Sequence, residues 1–149
     1  MREEKSPAPK KIKMPRDPEN REKENRNFEI RFYESVLEKK QDFLQALMAL
    51  GDLYTKNGLY EKGLEVDRRL AKMRPDDPFI LYNLACSYSL VNHIDKAFQV
   101  MKLAIESGYD DFAYLEHDRD LENLLKDQQF RRYLSQVKPS RKSQSENDV

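Results

Sequence analysis

Residues 47–70 read LMALGDLYTKNGLYEKGLEVDRRL, and residues 81–104 read LYNLACSYSLVNHIDKAFQVMKLA, 34 positions further on. Equivalent positions in the two stretches carry residues of matching size or backbone role. They are large at Leu47 and Leu81, small at Gly51 and Ala85, and aromatic at Tyr54 and Tyr88. A period of this length with this order of sizes is the signature of a helix–turn–helix unit that stacks on its neighbours.

Turn and capping residues divide the region into helices. Asn57-Gly58 and Asn92 tolerate the left-handed conformation that ends a helix, and Gly108 ends another. Asp77-Pro78 begins a helix with an acidic N-cap and a proline at the first helical position. The sequence predicts helices near residues 27–40, 42–56, 60–73, 78–91 and 94–107.

These positions resemble the tetratricopeptide repeat. The match gives repeats at 44–77 and 78–111, a half repeat at 28–41, and capping helices at 112–137. The resemblance implies an all-α fold, in which antiparallel helix-turn-helix repeats stack as a short right-handed α-solenoid. The sequence departs from the pattern at Asp67, where an aromatic residue is usual, and at Leu70, where a small one is usual. After Gly108 the repeat breaks, since Asp118 falls where Leu84 predicts an apolar residue.

The resemblance also implies where a partner protein binds, because the first helices of the repeats line the concave face. Here the implied lining is Gln45, Met48, Asp52, Thr55, Lys56, Phe79, Tyr82, Asn83, Cys86, Ser89 and Leu90. Met48 and Asp52 stand where members that clamp a chaperone's terminal carboxylate have Lys and Asn. Asp52, the only acid in this set, would repel that carboxylate. We therefore expect an extended peptide or an amphipathic helix with apolar anchors.

For several residues, helix packing or capping is an alternative explanation to a role in binding or chemistry. Phe79 and Tyr82 are expected to pack on neighbouring helices at least as often as they contact a partner. Cys86 is expected to be a small buried filler rather than a reactive thiol. We expect Asp67 to be partly exposed beside an Arg; the alternative is a buried, hydrogen-bonded specificity element. The acids of residues 110–122 are better explained as N-caps than as ligands of a hard cation.

Composition favours one helical domain. Of 149 residues, 36% are charged and 38% hydrophobic, and the net charge is zero. Residues 1–27 hold nine basic and six acidic side chains with few apolar ones, so we expect a disordered arm, and likewise a disordered tail at 138–149. A single cysteine and the absence of a long apolar run favour a soluble cytoplasmic protein without a membrane contact.

Three functional hypotheses follow. The first is a non-catalytic adaptor or scaffold that binds a protein partner in the concave groove and uses no cofactor or metal. We expect no enzyme, because paired catalytic carboxylates, a nucleophile with its base and a phosphate-binding loop are missing from the helical region. The second is self-association through Phe28, Phe32 and Tyr33 at an uncovered end of the solenoid. The third, ranked last, is a nucleic-acid role for the basic arm.

Overall fold

The computed structural model of the chain describes residues 17–139, and every regular element in that range is helical. The helices are α1 (Pro18–Lys39), α2 (Leu44–Lys56), α3 (Tyr60–Met73), α4 (Pro78–Leu90), α5 (Ile94–Glu106), α6 (Phe112–His117), α7 (Glu122–Leu125) and α8 (Gln128–Val137), with a 3-10 helix (Arg119–Leu121) between α6 and α7. None of these helices has the length and apolar character needed to cross a membrane. The arm and tail predicted to be disordered lie, for residues 1–16 and 140–149, outside the described residues.

Helices α2/α3 and α4/α5 form two antiparallel pairs stacked side by side, with α1 packed on α2. The stacked all-α fold predicted from the repeat is therefore confirmed. The turns use the expected residues: the φ angles are 75° at Gly58, 62° at Asn92 and 117° at Gly108. Asp77 caps α4 by accepting the backbone N–H groups of Phe79 and Ile80 at 2.9 and 3.2 Å.

The prediction of a disordered arm up to residue 27 is wrong for residues 18–27, which form the first part of α1. Asp17 accepts the N–H of Glu19 at 3.0 Å, and Pro18 occupies the first turn, so the helix has a capped N-terminus. Arg26 then donates its Nε–H to Oδ1 of Asn57 at 3.2 Å, which ties this part of α1 to the end of α2. The prediction rested on the charged composition of the segment and did not use the N-cap and proline signals at its start.

Helix α1 buries one face against α2 and leaves two large apolar side chains exposed. In the structure Ile30 and Leu37 are buried against α2, whereas Phe28 and Phe32 are exposed. Within the described residues, the outward side of α1 thus carries two uncovered aromatic rings among charged side chains.

The last three helices and the 3-10 helix, residues 112–137, cover the end of the second pair; we call them the cap. Leu115, Leu121, Leu124 and Phe130 are fully buried, and the Phe98 ring of α5 meets the Phe130 ring edge-on at 5.5 Å. The tail was predicted to be disordered from residue 138, but Lys138 donates to both carboxylate oxygens of Glu116 at 2.8 and 3.0 Å. The cap therefore belongs to the folded domain, and Lys138, the first residue of the predicted tail, is bonded to it.

Phe130→Ala should lower the free energy of unfolding by about 3–5 kcal/mol, since it leaves a cavity between α5 and the cap. Urea denaturation followed by circular dichroism measures the change. Leu103→Ala, which truncates an exposed side chain on α5, is the control and should cost far less. An equal, small loss in both variants would contradict a tightly packed cap.

Candidate functional site

A cavity of about 550 Å³ lies between α2, α4 and the cap. It brings together eight of the eleven residues that the repeat pattern assigned to the groove. They are Met48, Asp52, Thr55, Phe79, Tyr82, Asn83, Cys86 and Leu90. The first helices of the two pairs do therefore form one wall of a shared hollow, and we call this hollow the groove.

The other three assigned residues lie elsewhere. Gln45 is exposed one turn before the groove begins, and the Lys56 ammonium points to Asp52, 2.8 Å from Oδ2. Ser89 is fully buried beneath the cap, where its Oγ accepts the N–H of Leu124 at 3.1 Å and its carbonyl accepts Nδ2–H of Asn123 at 3.0 Å. The repeat pattern could not indicate this contact, because the cap lies outside the repeat.

The expectation that Asp52 is the only acid in the groove is wrong. Helix α3 contributes Asp67, and the cap with its preceding turn contributes Asp111, Asp118 and Asp120. Among the described residues, no Lys or Arg lines the groove. The signal was present in the sequence: Asp67 and Asp118 are both positions where the repeat predicts an apolar residue.

Aromatic rings form the side of the groove nearest the cap. The Tyr82 and Tyr109 rings stack with centroids 4.3 Å apart and an angle of 11° between their planes. Phe79 meets Tyr109 edge-on at 6.2 Å, and Tyr114 lies 6.2 Å from Tyr82. Tyr82 is buried, as the structural interpretation expected, but the Phe79 side chain is 69% exposed and stands on the rim.

Polar contacts fix the buried end of this wall. The Tyr82 hydroxyl donates to Oδ2 of Asp118 at 2.6 Å, and the Cys86 thiol lies 3.8 Å from the same oxygen. Burial, with the nearby Cys86 and Asp118, raises the pKa of Tyr82. Burial, followed by the negative charge of Asp118, raises the pKa of the Cys86 thiol well above its usual range. Cys86 is a buried thiol without the features of a nucleophile, as the sequence predicted.

Asp67 differs from its predicted state. It is not partly exposed beside an Arg but more than nine-tenths buried, and its Oδ2 accepts a 2.5 Å hydrogen bond from the Ser87 hydroxyl. Gly51 leaves room for it, since a Cβ at that position would lie 3.1 Å from Asp67 Oδ1. Burial raises the pKa of Asp67 to about 6; the Ser87 hydrogen bond opposes this shift and the charge of Asp52 adds to it.

The acids of the cap have structural contacts as well as a place in the groove. Asp111 accepts the N–H of Tyr114 at 3.1 Å and Asp118 that of Asp120 at 3.0 Å, so N-capping explains both. Burial, then the charges of Asp118 and Asp52, raises the pKa of Asp120. Across residues 17–139 no three His, Cys, Asp or Glu side chains are arranged to hold a metal ion.

Asp67→Asn tests the buried carboxyl while keeping an oxygen that accepts from Ser87. The native pKa of about 6 exceeds the usual 3.8, so the folded state binds the proton more tightly than the unfolded chain. The resulting stabilisation is complete below about pH 4 and is lost as the pH rises through about 6. Between pH 5 and pH 7 the stability of the wild type relative to the Asn variant should fall by about 1 kcal/mol.

Urea titrations at several pH values measure this difference. Asp110→Asn, which removes an exposed carboxylate next to Asp111, is the control. The same pH dependence relative to both variants would contradict a specific effect of Asp67.

No family model matches this chain. The chain is 34% identical over 112 residues to a chloroplastic protein from Arabidopsis thaliana. The aligned part covers 72% of this chain and 33% of that protein, so the chain spans about a third of the length of the curated relative it matches.

Proposed function

We propose that this chain is a tetratricopeptide repeat protein that acts as a non-catalytic adaptor or scaffold. It holds a peptide or a helix of a partner protein in the groove and needs no cofactor. The 34-residue offset between matching positions and the two stacked helix pairs support the assignment to the repeat. The groove between α2, α4 and the cap supports the binding role.

The observation that carries this proposal is the exposure of two large apolar side chains, Phe79 and Met48, that line the groove. Phe79 is 69% and Met48 is 47% exposed, although each lies next to buried residues of its helix. Aromatic residues and methionine are enriched where proteins contact one another. Both side chains line the same groove, which suits anchors for a partner's apolar side chains.

Site-specific photo-crosslinking tests the groove. A photoreactive phenylalanine analogue replaces Phe79 in one variant and Leu103 in another, since both side chains are exposed but only Phe79 lines the groove. We expect a covalent adduct with a different protein from position 79 and none from position 103. Identical adduct patterns from both positions, or no adduct at either, would argue against a binding groove.

The alternative function is a structural or assembly role through homodimerisation. The outward side of α1 favours it, because Phe28 is 66% and Phe32 54% exposed and the Phe32 ring meets Tyr33 edge-on at 5.3 Å. Exposed apolar patches of this kind mark contact surfaces. A second copy placed on α1 would cover both rings.

Sedimentation velocity over a concentration series separates the two functions. A dimer that Phe28→Ser with Phe32→Ser converts to a monomer would support the alternative. A wild type that stays monomeric at high concentration would exclude it. If partner binding in the groove does not require dimerisation, the same double variant should leave the crosslink at position 79 unchanged.

We propose the cytoplasm as the compartment, because one cysteine suits a reducing environment. The similar protein is named as chloroplastic, so fractionation should include plastids where the source cell has them. Recovery of the protein from that fraction would overturn the cytoplasmic assignment.

A further inference from the structure

Building on the proposed function, we infer that the groove binds the guanidinium group of an arginine side chain carried by the partner segment. The guanidinium lies between the carboxylates of the cap and the exposed aromatic rings of the rim. The inference names the chemistry that the groove recognises and does not depend on which protein supplies it.

The distribution of charge is the first reason. Five carboxylates line the groove, and Lys56 neutralises only Asp52, at 2.8 Å. Among residues 17–139 the remaining four form no ion pair with Lys, Arg or His; they are Asp67, Asp111, Asp118 and Asp120. Like charges gathered in a partly enclosed hollow repel one another, and a cation placed among them removes that repulsion.

Asp67 provides a second, independent reason. Its side chain is more than nine-tenths buried, yet only Oδ2 has a donor, the Ser87 hydroxyl. No donor from the described residues reaches Oδ1, which lies at the groove wall beside Gly51. Because any Cβ on Gly51 would approach Oδ1 at 3.1 Å, the missing side chain keeps this acceptor free. Oδ1 thus remains open to the groove, where a guanidinium N–H of a ligand would give it a charge-assisted hydrogen bond.

The aromatic rim decides between arginine and lysine. Phe79 and Tyr114 are 69% and 59% exposed and lie on either side of the Tyr82–Tyr109 stack. A guanidinium is planar, stacks on aromatic faces and presents a fork of N–H donors that matches carboxylates. An ammonium group offers neither the plane nor the fork. The combination of exposed rings and several carboxylates therefore favours arginine.

The chain's own residues 1–16 are a competing occupant, because they contain six basic and two acidic side chains. Arg2 and Arg16 carry the same chemical group as the inferred ligand. A test of the inference must therefore vary both the peptide and this segment of the chain.

The experiment uses the full chain, fluorescently labelled, on an array of short random peptides. We expect the bound peptides to be enriched in arginine next to an apolar residue. For the best binder, replacing the arginine with citrulline, which keeps the shape and removes the charge, should weaken binding by about tenfold or more. Replacement with lysine should weaken binding less than citrulline does.

Two variants of the protein locate the contact. Asp120→Asn removes a carboxylate of the groove, whereas the control Asp110→Asn removes an exposed one beside it that does not line the groove. We expect weaker binding of the arginine peptide only for Asp120→Asn, with circular dichroism showing that both variants remain folded. Gly51→Ala, which crowds Oδ1 of Asp67, should also weaken binding.

Two results would overturn the inference. Peptides that bind the groove equally well with citrulline would exclude guanidinium recognition while leaving the proposed function intact. Equal effects of Asp120→Asn and Asp110→Asn would exclude the groove as the site. An affinity that rises about tenfold when Arg2 and Arg16 are both changed to Gln would support guanidinium recognition and show that the chain's own arginines compete for the groove. A total lack of peptide binding, together with no crosslink at position 79, would remove the proposed function itself.

Discussion

Helix α4 is buried along almost its whole length, and the positions of the other helices follow from that constraint. Nine of its 13 residues are buried, so one neighbouring helix cannot cover it. Helix α3 lies on one side, α5 on another, and the 3-10 helix and α7 of the cap on a third. The groove runs along the part of α4 that none of them covers.

Burial on this scale also determines the hydrogen bonds of α4. Buried polar side chains need partners, and three of those on α4 have theirs on α3 or on the cap. Ser87 donates to Asp67 of α3, Tyr82 donates to Asp118 of the cap, and Ser89 accepts the N–H of Leu124. These contacts hold the acids of α3 and the cap at the edge of the groove, so the packing of α4 also creates the negative charge there.

Sequence alone could predict the features that depend on neighbouring residues, such as helix ends, and those that recur with the repeat. Asp77-Pro78 and Asn92 fix the ends of α4, and the 34-residue offset identifies one wall of the groove. The other wall could not be found this way, because the cap does not repeat and its position depends on long-range burial. The misassigned state of Asp67 has the same cause, since its partner Ser87 lies on a different helix. The beginning of α1 was missed for a different reason: its charges resemble those of a disordered segment, and only the N-cap at Asp17 indicates otherwise.

The two ends of the helical array differ in how far their apolar side chains are covered. At one end the cap seals the last pair with fully buried side chains, and at the other the Phe28 and Phe32 rings of α1 face outward. A further helix stacked on the end of the array, whether from this chain or from another, meets exposed aromatic rings at α1, whereas the cap already covers the opposite end. Lengthening of the stack is therefore one-sided, because an insertion between α5 and the cap would expose the apolar side chains that the cap buries.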